Sequence, residues 1–147
     1  MPHIQSVTTD PLPAADIALL DCVGQVDDAR VLVIGDATLS MLCGLIRRGC
    51  TAAAEMQLHD RPISEPADIV VVPHLEGPDC ASRVVALARR VLQPGGRIVL
   101  RDPTGTQALQ TAHLLRMQGF TTVSVRPWSD GSLISAERPT FGPALRS

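Results

Sequence analysis

Lysine, asparagine and tyrosine are missing altogether from this 147-residue chain, and two phenylalanines and one tryptophan are its only aromatic side chains. Each absence removes a kind of chemistry. Without lysine there is no Walker-type phosphate grip and no Schiff-base nucleophile. Without tyrosine there is no phenolic acid or base, and without asparagine no glycosylation sequon. The codons of these three residues are A/T-rich, so a GC-rich bacterial genome accounts for the bias. All 13 basic residues are therefore arginines, and against 15 acids they leave a net charge of −2 and a pI near 6.0. The basic excess of a generic duplex-binding surface is absent, so no nucleic-acid partner is expected. Long apolar runs are absent too: the longest fall far short of the roughly 18 residues that would suggest a membrane span. The first residues lack the basic-then-apolar order of a secretory leader. The expectation is a cytoplasmic protein without a membrane partner. Cys22, Cys43, Cys50 and Cys80 show no C-x-x-C spacing, which favours reduced structural thiols over a disulfide framework or a metal site. His3 and His113 have no companion at ligand spacing, so no metal is expected.

What is present is an ordinary globular composition, 45% hydrophobic and 19% charged, in a chain long enough to bury roughly 70% of its unfolded surface. The proline-punctuated segment 1–13 reads as a loose arm, 14–139 as one domain, and 140–147 as a loose tail. From Ala14 the spacing of Ile17, Leu20 and Val23 predicts a helix with those residues on its buried face. The β-branched run 31–34 predicts a strand apolar on both faces, as in a parallel sheet covered by helices, ending at Gly35. Ser40 can cap a helix with Met41, Leu42, Leu45 and Ile46 inward, stopped by Gly49. Residues 51–58 predict a weaker strand, 59–67 a loop, and Asp68 opens the clearest buried strand, 69–72.

Asp79 is read as the N-cap of a helix running to Leu92, with Val84, Leu87, Ala88 and Val91 inward and Arg83, Arg89 and Arg90 outward. Pro94-Gly95-Gly96 turns the chain into a strand at 97–100. Thr104 or Thr106 is read as the cap of a helix carrying Leu109, Ala112 and Leu115 inward and ending at Gly119. Strands at 121–126 and 132–138 follow, joined through Trp128-Ser129-Asp130-Gly131, whose Asp-Gly is a hairpin signal. Trp128 beside that turn reads as a cap over the sheet end or as an anchor for a partner.

This order predicts a compact, doubly wound α/β fold: a mainly parallel sheet with a C-terminal antiparallel hairpin. Ligands of such sheets sit outside the carboxyl ends of the parallel strands. Here those ends are Gly35-Asp36-Ala37, Glu55, Pro73-His74 and Arg101-Asp102.

Residues 68–101, DIVVVPHLEGPDCASRVVALARRVLQPGGRIVLR, resemble the fourth strand, helix, proline-glycine-glycine turn and fifth strand of class I S-adenosylmethionine-dependent methyltransferases. LLRMQGFTTVSVRPWSDGSLISAERP resembles that family's last helix and closing hairpin, and ARVLVIG its lead-in to the glycine motif. The resemblance covers the chain from about Ala14 to Pro139 and implies a Rossmann-like fold with S-adenosylmethionine as cofactor, if any cofactor binds.

Two departures stand out. The family's three alternating glycines fall here on Gly35, Ala37 and Leu39, and the leucine would occupy cofactor space if it faced the pocket. The segment between the second strand and Asp68 is also too short for the family's intervening helix, strand and helix. In this compaction the chain is similar to the N-terminal domain of anamorsin.

The resemblance implies Gly35, Asp36, Ala37, Pro73 and His74 beside the cofactor. Glu55 would bond the ribose hydroxyls, a carboxylate offering paired acceptors to two donors, and Asp60 would stand for the adenine-contacting acid. His74 is also the candidate catalytic base, and Asp102 a further candidate. Two readings follow. In one, the domain is a pseudoenzyme with a degraded S-adenosylmethionine pocket, acting as a binding or accessory protein through a protein partner or a second copy of itself. In the other, it is a minimal, active methyltransferase of a small molecule.

Overall fold

The computed structural model describes residues 14–35, 39–58, 66–129 and 131–140, with the side chain of Pro78 left out. Helix α1 (Ala14–Val23) leads to strand β1 (Arg30–Ile34), helix α2 (Leu39–Arg47) and strand β2 (Ala52–Met56). Strand β3 (Ala67–Val72), helix α3 (Pro78–Val91), strand β4 (Leu92–Asp102) and helix α4 (Ala108–Met117) follow. The hairpin β5 (Thr121–Trp128) and β6 (Gly131–Glu137) closes the domain.

The strands form one six-stranded sheet in the order β2-β1-β3-β4-β6-β5. The pairings among β2, β1, β3 and β4 are parallel; β6 runs antiparallel between β4 and β5. The predicted α/β class and antiparallel closure are both present. Residue alternation splits the apolar strands between two cores. Leu32, Ile34, Val70, Val72, Ile98 and Leu100 pack with α3 and α4. Val31, Val33, Ile69, Val71 and Val99 pack with α1 and α2 on the opposite face. This two-sided burial is why β1, β3 and β4 read as unbroken apolar runs.

The register of β3 on β4 jumps from Ala67↔Leu92 to Ile69↔Arg97, so residues 93–96 bulge outward. Gly96 makes the jump possible: a Cβ there would lie 2.9 Å from the carbonyl oxygens of Asp68 and Gln93, closer than carbon tolerates. The proline-glycine-glycine turn is therefore a tight bulge within β4 rather than a loop before it.

Three helices present faces other than those expected. α1 buries Leu19, Leu20 and Val23 and leaves Ile17 42% exposed; it is apolar nearly all round, so spacing alone cannot select its contact face. α2 buries Met41, Gly44 and Leu45 and exposes Ile46, the glycine letting the helix approach closely. α4 turns Ala108, Thr111, Ala112 and Leu115 inward and leaves Leu109 80% exposed. The two alanines permit a close seat on the sheet that Leu109 would block.

The caps differ too. Gly77, at φ 149°, is the N-cap of α3, with Pro78 at the first turn and Asp79 among the first-turn residues where acids favour the helix dipole. α4 starts after Gln107, and neither Thr104 nor Thr106 caps it. Instead the buried Asp102 carboxylate accepts the Gln107 N–H through Oδ2 at 2.6 Å. Asp102 Oδ1 takes the Thr104 N–H and hydroxyl at 3.2 and 3.1 Å. Trp128 is half-buried against the core beneath α1 and α2. The expected arm, 1–13, and most of the expected tail, 140–147, lie outside the described residues.

Candidate functional site

The chain leaves β1 through α2 to reach β2 on one side, then returns to β3 on the other side of β1. That reversal opens a crevice at the carboxyl ends of β1 and β3, the usual ligand position in a doubly wound sheet. A cavity of about 460 Å³ occupies it, within the range of roughly 300–1,000 Å³ typical of small-molecule sites.

Its floor is the ends of two strands. Ile34 and Gly35 come from β1, and Val72 and Pro73 from β3. Gly35 sits at φ 105°, its N–H held by the Met56 carbonyl at 2.8 Å, and a Cβ built on it meets nothing within 4 Å. The backbone is thus bare toward open space, which is what close approach of a ligand requires. One wall is Gln57 and Leu58, just past β2; the opposite wall is Cys80 and Val84 of α3. His74 and Glu76 stand exposed at the rim.

Gly35, Pro73 and His74 all line this cavity. Glu55 is exposed on β2 and does not line the cavity; it accepts a hydrogen bond from Gln57 Nε2 at 3.3 Å. Gln57, passed over in the sequence because the strand was read as continuing to Leu58, is the polar side chain that faces the cavity from this edge. Its signal is the strand end at Met56. Asp36, Ala37 and Asp60 lie outside the described residues. Leu39 is 76% exposed at the start of α2 and does not line the cavity. Asp102 is 1% exposed and its carboxylate is taken up by Thr104 and Gln107.

Among the described residues, two ionisable groups are displaced from their ordinary range. Burial pushes the Asp16 carboxyl up, with the Arg101 guanidinium pulling weakly the other way. Burial also pushes the Cys50 thiol up, opposed by a backbone hydrogen bond, which keeps that thiol in its unreactive form. Among the described residues no cluster of three or more potential metal ligands occurs, and no helix is long and apolar enough to cross a membrane.

No protein-family model matches the chain, and no curated protein matches it by sequence. Solved structures do match by fold. The N-methyltransferase NodS of Bradyrhizobium japonicum superposes with a TM-score of 0.64 at 15% identity, over 84% of this chain and 94% of that one. A methyltransferase of Pyrococcus furiosus gives 0.69 at 12% identity, over 88% and 84%. The ribosomal protein L11 methylase of Lactobacillus delbrueckii gives 0.69 at 8% identity, over 95% and 81%. Sheet order and these likenesses define a Rossmann-like α/β fold shared with these methyltransferase structures. At such identities the likeness is one of fold.

Proposed function

We propose that this domain holds the adenosyl end of S-adenosylmethionine, or of S-adenosylhomocysteine, in the switch-point cavity. The observation that carries the reading is Gly35, with nothing within 4 Å of a Cβ built on it, lining a cavity of about 460 Å³. The residues present fit such a group. Ile34, Val72 and Val84 supply apolar surface for a flat base, and the Gln57 amide carries both an acceptor and donors for ribose hydroxyls. Glu55, through its bond from Gln57 Nε2, orients that amide. When bound, the cofactor supplies a sulfonium methyl group for transfer to a nucleophile. His74 at the rim would position the acceptor or take its proton. On this reading the chain is a minimal methyltransferase, and Leu39, standing clear of the cavity wall, does not obstruct it.

A second reading is favoured by the sheet edge. Ala52 and Ala54 of β2 are exposed, on the strand that leads into the nucleoside wall. A domain so reduced would serve as a binding or accessory protein in the cytoplasm, its open strand ends covered by a protein partner or a second copy.

A thermal-shift titration with S-adenosylmethionine and S-adenosylhomocysteine, with NAD as control, separates the two. At 100 times its dissociation constant a ligand adds about 2.7 kcal/mol, which at about 2–4 °C per kcal/mol raises the midpoint by about 5–10 °C. A rise with the two sulfur compounds alone is expected. No rise at millimolar ligand would retire the cofactor reading and leave the accessory one.

A further inference from the structure

The two faces of the sheet are charged differently. On the α1–α2 face Arg48 pairs with Asp21 at 3.2 Å. On the other face α3 and α4 pack over one core, and they carry Arg83, Arg89, Arg90 and Arg116 against a single acid, Asp79. These four arginines are exposed, and among the described residues none makes an ion pair or a hydrogen bond. Asp79 lies in the first turn of α3, on the side of the nucleoside cavity. The last turns of both helices meet at the other end of the sheet, where Arg89 and Met117 line one cleft with Pro94 of β4. Cations in a last helical turn complement the helix dipole, which accounts for their place in the sequence but not for what they surround.

The cleft has a volume of about 300 Å³. Phe120 and Pro94 give it apolar surface, Met117 stands 70% exposed at its side, and Arg89 and Arg138 supply charge. Arg138 is fixed in place. Its N–H and carbonyl pair with Gly96 and Gly95 at 2.7 and 2.8 Å, and its guanidinium donates to the Leu92 carbonyl through one nitrogen. The rest of that donor fork is left over, while Arg89 is free to close on a ligand. Among the described residues no acid lines the cleft. Asp27, Asp28, Asp68 and Glu137 line a separate hollow with Arg97. The sequence beyond Thr140 carries Arg146 and no acid, so it does not complement these cations.

We propose that this cleft is a docking site for a partner protein, entered by a segment that sets an apolar side chain among acidic ones. The apolar side chain lies against Met117 and Phe120, where methionine adapts to its shape, and the carboxylates meet the two guanidinium forks. Arginine and methionine are both enriched at protein–protein interfaces. A single-stranded nucleic acid needs an aromatic platform, and Phe120 is only 4% exposed; a lipid surface is too flat to enter a hollow. The cleft and the nucleoside cavity lie at opposite ends of the sheet, so the proposal stands whether or not that cavity holds a cofactor.

The test selects binders of the immobilised full chain from a displayed library of random peptides. Sequences enriched in Asp and Glu around a Leu, Met or Phe are expected. The most enriched peptide is then synthesised with a fluorophore and titrated by anisotropy. Arg89→Glu and Met117→Ser, surface changes that should leave the urea midpoint in place, should each weaken its binding at least tenfold. Arg83→Glu, on the same helix but outside the cleft, should change it far less, which separates a local contact from a general effect of charge. Selection without an acidic bias, or an affinity unmoved by Arg89→Glu and Met117→Ser, overturns the proposal. So does Arg89-dependent binding of phosphatidylserine vesicles or of oligothymidylate that is tighter than binding of the peptide. Movement of the Met117 methyl resonance in unliganded Phe141→Ser overturns it as well, because the chain's own tail would then fill the cleft.

Discussion

Replacing Asp102 by asparagine keeps the size of the side chain and turns one acceptor oxygen into a donor. In the native chain Oδ2 accepts the Gln107 N–H at 2.6 Å and Oδ1 accepts both the N–H and the hydroxyl of Thr104. The amide can satisfy one side only. If its oxygen keeps the Gln107 N–H, its NH2 meets the Thr104 N–H donor to donor; the reverse choice exposes Gln107 to the same conflict. At 1% exposure water does not replace the lost acceptor. Hydrogen bonds to a charged group contribute about 1.5–3 kcal/mol each, so losing at least one predicts a destabilisation of about 2–3 kcal/mol. For a domain of this size that is a fall of about 4–12 °C in melting temperature. Urea unfolding should show a lower midpoint with an unchanged slope, the mark of lost stability without a change in the surface exposed. A variant within about 0.5 kcal/mol of the parent, the range of ordinary surface substitutions, would refute the capping role and restore Asp102 as a candidate for chemistry.

Gly131→Ala should cost about 1–3 kcal/mol by overpacking, because its Cβ would fall within contact distance of the Asp102 carbonyl and 2.8 Å from that of Pro103. Gly119→Ala, at φ 91° with nothing within 4 Å, should cost only the backbone strain of about 1–2 kcal/mol; equal losses in urea unfolding would contradict the steric account. Cys80, half-buried on the cavity wall, should react with a thiol reagent faster than buried Cys50. S-adenosylhomocysteine at 100 times its dissociation constant should slow the Cys80 reaction about 100-fold, as mass spectrometry of the labelled peptides would show. Unchanged labelling at saturation would place the nucleoside elsewhere. Asp16→Asn should stabilise the protein at neutral pH. Folding raises the Asp16 pKa above 3.8, so its contribution is full below that value and is lost as pH rises through the folded pKa. The variant should flatten the stability–pH curve above pH 3.8, and a steeper curve would reverse the sign of the argument.

The strands β1, β3 and β4 were legible because burial on both faces leaves a run of apolar residues that no helix period explains. The hairpin was legible from its Asp-Gly signal, although Gly131 already pairs with Trp128 as the first residue of β6. Helix faces were less so: α1 is apolar nearly all round, and α4 seats itself by two alanines, whose small size carries no hydrophobic signal. The place of the cavity was legible, because strand ends at a topological switch point can be read from the order of elements. Gly35, Pro73 and His74 meet at the cavity because β1 and β3 were bounded correctly. Gln57 was missed because the alanine-rich β2 carries weak propensity and its end was read two residues late.

Strand β2 pairs with β1 alone, and of its five residues only Met56 is fully buried. The cavity wall formed by Gln57 and Leu58 therefore hangs from a thinly buried edge of the sheet. Segments with few buried contacts open locally at a fraction of the global unfolding free energy, and a ligand that needs them closed binds more weakly by the fraction of molecules in which they are closed. Affinity for the nucleoside is consequently tied to the fraying of one short strand. Any contact that steadies β2, from a partner or from a substitution at Ala52 or Ala54, would tighten ligand binding without touching the ligand.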